Sequence, residues 1–109
     1  MSVAALFEGP AAEAIGCEYI PVATEAVFEE LWVPACGTLG LRWVPCFQSG
    51  IPITSEDLPD VIDELDRLRC WVADHAEVDT RQWWLDRIDR LRSALHRVRD
   101  VAEPDVWIG

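Results

Sequence analysis

Lysine is absent from this chain of 109 residues. Without that amine, Schiff-base catalysis and the phosphate-binding lysine of a P-loop are both excluded. Positive charge of any kind is scarce before residue 67, where Arg42 stands alone against twelve Asp and Glu. The remaining 43 residues balance eight Arg against eight acids, so the formal net charge of −11 resides wholly in the first 66. Such a field draws in a basic partner and repels nucleic acid and anionic lipid.

Paired cysteines are missing too. Cys17, Cys36, Cys46 and Cys70 lie 19, 10 and 24 residues apart, with no CxxC or CxxxC. A structural zinc site usually takes two ligands from one short turn, so the spacing predicts reduced thiols, mostly buried as small apolar side chains. Long apolar runs are lacking as well. The longest uncharged stretch, Trp43 to Ser55, is 13 residues with two prolines, against the roughly 18 or more that a membrane helix needs. The first sixteen residues carry Glu8 and Glu13 and no Arg, unlike the basic start of a secretory leader. The expectation is a cytoplasmic protein that neither spans membranes nor binds nucleic acid.

What is present argues for a packed core. Half the residues are apolar and six are Trp, and a chain of this length folds as one domain, residues 1–109. It divides into an acidic strand-and-helix part, 1–53, and a helical hairpin with a short terminal strand, 54–109. Tyr19 and Ile20 suggest a strand over Cys17–Val22, which Pro21 confines to a sheet edge. Phe28, Leu31, Trp32, Ala35 and Leu39 recur at helical spacing behind Thr24 as N-cap, with Pro34 predicting a kink near Trp32 and Gly40 a left-handed end. Alternation of Leu41, Trp43 and Phe47 with Arg42, Val44 and Cys46 predicts a strand. Leu58, Val61, Ile62, Leu65, Leu68 and Val72 form the apolar stripe of a second helix capped at Thr54 or Ser55. Trp84, Ile88, Leu91, Leu95 and Val98 form that of a third, starting at Asp79 with Gln82 completing a capping box. Pro104 precedes a terminal strand at Val106–Ile108. The predicted fold class is α+β: a small few-stranded sheet packed against a kinked N-terminal helix and an antiparallel pair of long C-terminal helices.

Residues that could carry chemistry are few. His75 lies beside Asp74 and Glu77 at a helix end, where an imidazolium interacts well with the dipole, and His96 sits on a helix flank. No strained glycine turn surrounds any cysteine, so a Cys and His nucleophile has little support. Asp60, Asp63, Glu64 and Arg67 share a helical face and read as a solvated, ion-paired surface. No ExxH motif accompanies the carboxylates, and neither metal nor cofactor is expected. Trp32, Trp43 and Trp71 fall in apolar patterns and are expected in the core. Trp83 is rotated about 100° from Trp84 onto a flank with Arg87 and Arg90, which suits either an Arg-stacked core edge or an interface anchor. The expected partner-binding residues are Glu25, Glu29, Glu30, Glu56, Asp57 and Asp60, facing a basic cleft, with Trp83 as the apolar anchor.

The order of a strand-and-helix part, then EDLPDVIDELDRLRCWV, then WWLDRIDRLRSALHRV and a terminal VWIG resembles small cytoplasmic immunity proteins of bacterial polymorphic toxin systems. The resemblance runs from about Leu31 onward and rests on structural stripes. It implies a non-enzymatic inhibitor that occludes the active site of a cognate toxin, commonly a nuclease, deaminase, NAD-consuming enzyme or ADP-ribosyltransferase. It carries over no binding residues, because such interfaces vary with the toxin. An acidic cytosolic regulatory or scaffold module is the alternative expectation, and a small enzyme using His75 and a cysteine a third.

Overall fold

The computed structural model describes residues 2–109. β1 (Ser2–Glu8) opens the chain and buries Val3, Ala5 and Phe7 on one face. Helix α1 (Gly9–Ile15) follows, started by Pro10 in its first turn and ended by Gly16 at φ 75°, the left-handed geometry that glycine adopts without strain. Neither element was expected, because SVAALFE is apolar on both faces and shows no alternation to read. β2 (Tyr19–Thr24) returns antiparallel to β1.

The N-terminal helix forms where its spacing predicts. Thr24 Oγ1 accepts from the Val27 amide at 3.2 Å, which caps it. It runs through α2 (Glu25–Val27), a π turn (Phe28–Trp32) and α3 (Val33–Leu39). Pro34 explains the π turn. Its ring has no N–H to give the Glu30 carbonyl, and the ladder widens so that the Val33 amide bonds the Phe28 carbonyl instead. Gly40 ends the helix at φ 68°, as its position predicts.

A short β3 (Ile51–Ile53) leads into the two long helices, α4 (Leu58–His75) and α5 (Val78–Val98), which pack against each other. Every residue of both apolar stripes is buried. At the bend between them Arg81 donates twice to the Ala76 carbonyl, at 2.7 and 3.2 Å, closing the end of α4. The terminal strand β4 (Asp105–Ile108) then enters the middle of the sheet. Strand order is β2-β1-β4-β3, antiparallel throughout. Ala4 and Gly109 extend the β1–β4 ladder by exchanging two backbone bonds of 3.1 and 3.0 Å. The fold is thus α+β, with α1 and α5 against the sheet and the bent helix against α4.

Four local expectations are corrected. Leu41–Phe47 is not a strand: Val44–Gln48 forms a 3₁₀ helix with Pro45 in its first turn. Helix α4 starts at Leu58, with Asp57 at the N-cap position in place of the expected Thr54 or Ser55. The Asp57 carboxylate accepts from the Thr54 amide at 3.1 Å and so closes the turn that precedes the helix. The Asp79–Gln82 box does not form, since α5 begins at Val78 and Gln82 donates to Asp86. Trp43 and Trp71 reach the core only in part, whereas Trp32 is wholly buried and stacks on Phe28 at 5.4 Å.

Candidate protein-binding surface

The surface that stands out is the sheet face turned away from the helices. In antiparallel strands alternate residues share a face, and the pairing register aligns Tyr19, Leu6, Trp107 and Pro52 across all four strands. Tyr19 is 52% exposed, and Leu6 and Trp107 are each 42% exposed. Three of the five exposed large apolar side chains therefore form one continuous row. Scattered exposed apolar residues are ordinary, but a contiguous row on an uncovered face marks a contact surface.

On one side of this row Pro21, Ala4, Gly109 and Gly50 make a floor of small residues. The Trp107 indole lies over Gly50, whose φ of +91° and missing Cβ both make room for the ring. On the other side Glu8 stands directly opposite Asp105. Both are exposed, and no basic residue lies on any strand. Beside Asp105 a shallow recess is lined by Thr54, Ser55, Glu103 and Pro104, which places the adjoining Glu56 and Asp57 at this acidic end.

The acids expected to dock a partner are distributed differently from the single face envisaged. Glu25, Glu29, Glu30, Glu56 and Asp60 are exposed and Asp57 is half-buried. Glu30 lines a groove with His75, Glu77 and Thr80 at the C-terminal end of α4. Glu56, Asp57 and Asp60 lie at its N-terminal end, and a helix of 18 residues separates the two sets, about 27 Å. Trp83 is 38% exposed with the Arg87 guanidinium 5.5 Å from its ring centroid, the stacked arrangement expected for a core edge.

Ion pairing takes up one of the twelve N-terminal acids, Asp66, and leaves the rest. Among the described residues the ion pairs are Arg69–Asp89, at 2.6 Å, and Arg92–Asp66. Both bridge α4 to α5, so the arginines pair between helices and not along one face as expected. Hydrogen bonding to Asp89, then its charge, raises the Arg69 pKa above its already high value. The acids from Glu8 to Asp63 have no ion-pair partner among the described residues.

Glu64 departs furthest from expectation. It is 7% exposed and not part of a solvated face. Its carboxylate accepts from the backbone amides of Arg42, Trp43 and Val44 at 2.9–3.1 Å. Arg67, its supposed neighbour in an ion-paired row, donates instead to the Leu39 carbonyl at 2.9 Å. The sequence held a signal for this: Glu64 falls between Val61 and Leu68 at helical spacing, inside the buried stripe.

The remaining chemistry-bearing groups stay apart. His75 stacks on Trp71 with centroids 5.0 Å apart, and its Nδ1 meets the Trp71 carbonyl at 3.0 Å. All four cysteines are free, with Cys36 buried, Cys46 half-buried and Cys17 and Cys70 exposed. Two exposed thiols correct the expectation that most are buried. Among the described residues no three His, Cys, Asp or Glu are placed to hold a metal ion, and no helix is long and apolar enough to cross a membrane.

Burial, then the charge of Glu64, pushes the Cys36 thiol up to about 12 from its ordinary 9.0. The unfolded thiol ionises first as pH rises, so this contribution to stability is complete below pH 9.0 and declines towards about pH 12. Urea unfolding midpoints across that range are expected to fall less steeply for Cys36→Ala than for the parent. Equal slopes would refute the assignment. In the same protein an Ellman titration is expected to modify Cys17 and Cys70 at once and Cys36 only on unfolding.

No family model, curated protein or solved structure matches this chain.

Proposed function

We propose that this chain is an immunity protein, which binds a cognate bacterial toxin and neutralises it by occluding a basic active-site cleft. The observation that carries the reading is the run of acids from Glu8 to Asp63 with no ion-pair partner among the described residues, together with an apolar row left exposed on the sheet. A merely soluble surface mixes both signs of charge. Here Arg69 and Arg92 pair across α4 and α5, Arg87 stacks on Trp83, and no arginine lies on a strand, although Arg90 and Arg97 of α5 border the β2 edge beside Tyr19 and Pro21.

The mechanism separates capture from retention. Long-range attraction by the acids, including Glu25, Glu29, Glu30, Glu56, Asp57 and Asp60, speeds encounter with a cationic toxin. Desolvated apolar contacts then slow release. Occlusion needs no chemistry from the inhibitor, only residence over the cleft.

The direct test is co-expression with the product of the adjacent gene. Cells are expected to survive that product only when this chain is present, and the two proteins to co-purify. Binding without protection would favour the regulatory or scaffold module, and no complex would remove the reading. Within a complex, reversing Glu25, Glu29, Glu30, Glu56 and Asp60 to Lys cancels almost all of the net charge of −11. Association at low salt is then expected to slow by about 10-fold or more and to lose most of its salt dependence. Unchanged rates in stopped-flow mixing would sink the electrostatic part.

A further inference from the structure

Resting on that reading, we infer that the partner docks on the open sheet face, as a basic amphipathic helix laid across Tyr19, Leu6, Trp107 and Pro52. The acids of the bent helix and of α4 steer, but they do not form the centre of the interface.

Geometry favours a helix. Four strands spaced about 4.8 Å apart make a row about 14 Å long, which matches roughly ten residues of helix. A helix with apolar residues three and four apart presents one stripe of that length. Laying it on the face adds the layer that this sheet lacks, since helices already cover the opposite side. Strand addition at an edge is the competing mode, and both edges resist it. β2 carries Pro21 and the three-residue β3 has Pro52 at its centre, so each outward edge lacks an N–H.

Charge identifies the partner's chemistry. Like charges directly opposite one another weaken a sheet, yet Glu8 faces Asp105 with no cation on either strand. Lys or Arg along one flank of the incoming helix would satisfy both carboxylates while its apolar stripe covers Leu6 and Trp107. A second copy meeting this face with its own sheet is disfavoured: it carries the same net charge of −11 and no basic residue on any strand.

Rigidity identifies the anchor. The Trp107 ring is seated over Gly50, and a Cβ added to Gly109 would press on the indole Nε1 and on Gly50. An aromatic ring already held in position loses little freedom on binding, which is what an interface anchor requires. Tyr19 and Leu6 extend the same surface on strands β2 and β1.

The test uses the full chain and a synthetic probe, an 18-residue Leu/Lys/Arg peptide with an amphipathic helical stripe. Its twin keeps the stripe and replaces every basic residue by Glu. In ¹H–¹⁵N spectra the basic peptide is expected to shift Leu6, Tyr19 and the Trp107 side-chain Nε1–H, and the acidic twin to shift nothing. Tyr19→Ser with Leu6→Ser is expected to weaken binding at least about 10-fold, and Glu8→Lys with Asp105→Lys comparably. Unaltered thermal melts would show that these exposed substitutions spare the fold. Shifts centred on Glu25–Glu30, Glu56–Asp60 or Trp83 would overturn this docking site while leaving the immunity reading standing. So would equal binding of both peptides, no binding by the basic one, or self-association through this face in sedimentation.

Discussion

Glu64→Ala is expected to lower stability by about 2–4 kcal/mol, the loss that follows when one buried and two partly buried backbone donors are left without an acceptor. Three amides are involved. Glu64 Oε2 accepts from Arg42 and Trp43 at 3.0 and 3.1 Å, and Oε1 from Trp43 and Val44 at 2.9 and 3.1 Å. Domains of this size have a total stability of roughly 5–15 kcal/mol, so the variant would lose a large share of it, a fall of roughly 10–20 °C in Tm. Glu64→Gln separates charge from shape. Both oxygens accept, so the amide must turn an NH₂ towards donors, and Gln is expected to recover less than half of the loss. Glu64→Asp falls one methylene short and is expected to resemble Ala. Hydrogen exchange supplies the local readout, because the amides of Arg42, Trp43 and Val44 should lose protection before the rest of the fold. A Gln variant as stable as the parent would show that the carboxylate does not hold this turn.

Gly50→Ala is the second substitution with a large expected effect, about 2–3 kcal/mol. Two costs add at one position. Alanine is strained at φ +91°, and its Cβ would press on Trp107 Cζ2, nearer than real Cβ contacts come. The ring must tilt away, since the alternative is movement of the β3–β4 pair. A lowered Tm is therefore expected together with a displaced Trp107 Nε1–H resonance. A variant with normal stability and an unmoved resonance would refute the seating of the indole. By contrast, Gly37→Ala is expected to be mild, because α3 is helical there and, beyond its own helix backbone and chain neighbours, nothing lies within 4 Å of the added Cβ.

The two long helices were legible because their information is local. Burial selects one face, and an apolar residue every three or four positions records that face directly in the sequence. The bent helix was legible for the same reason, with Thr24, Pro34 and Gly40 acting on neighbours within one turn. β1 was not. Its inner residues Val3, Ala5 and Phe7 are interleaved with Ala4 and Leu6, which are also apolar, so period two is erased. That same erasure leaves the outer face apolar. At Leu6, Tyr19 and Trp107 a strand places an apolar side chain where an ordinary half-buried strand places a polar one.

The alternation at Leu41–Phe47 misled because a period of two is a weak signal over so few residues, and a competing acceptor decided the outcome. A strand needs a neighbour to take its amides. Here the Glu64 carboxylate, 20 to 22 residues away in sequence, takes three of them. Nothing within Leu41–Phe47 names that partner. The ion pairs teach the same lesson, since Arg69 and Arg92 have acids of their own helix within four residues yet bond across to Asp89 and Asp66.

By itself the sequence determined the sign and placement of charge, the two buried helical stripes, the ends of the bent helix and the absence of lysine chemistry, because each follows from residue identity or from neighbours within a turn. Only the tertiary structure decided which acids stand together, what Glu64 holds, and that Tyr19, Leu6, Trp107 and Pro52 form one row. Those facts depend on register between strands contributed by both ends of the chain, and register is a property of pairing that no single segment contains.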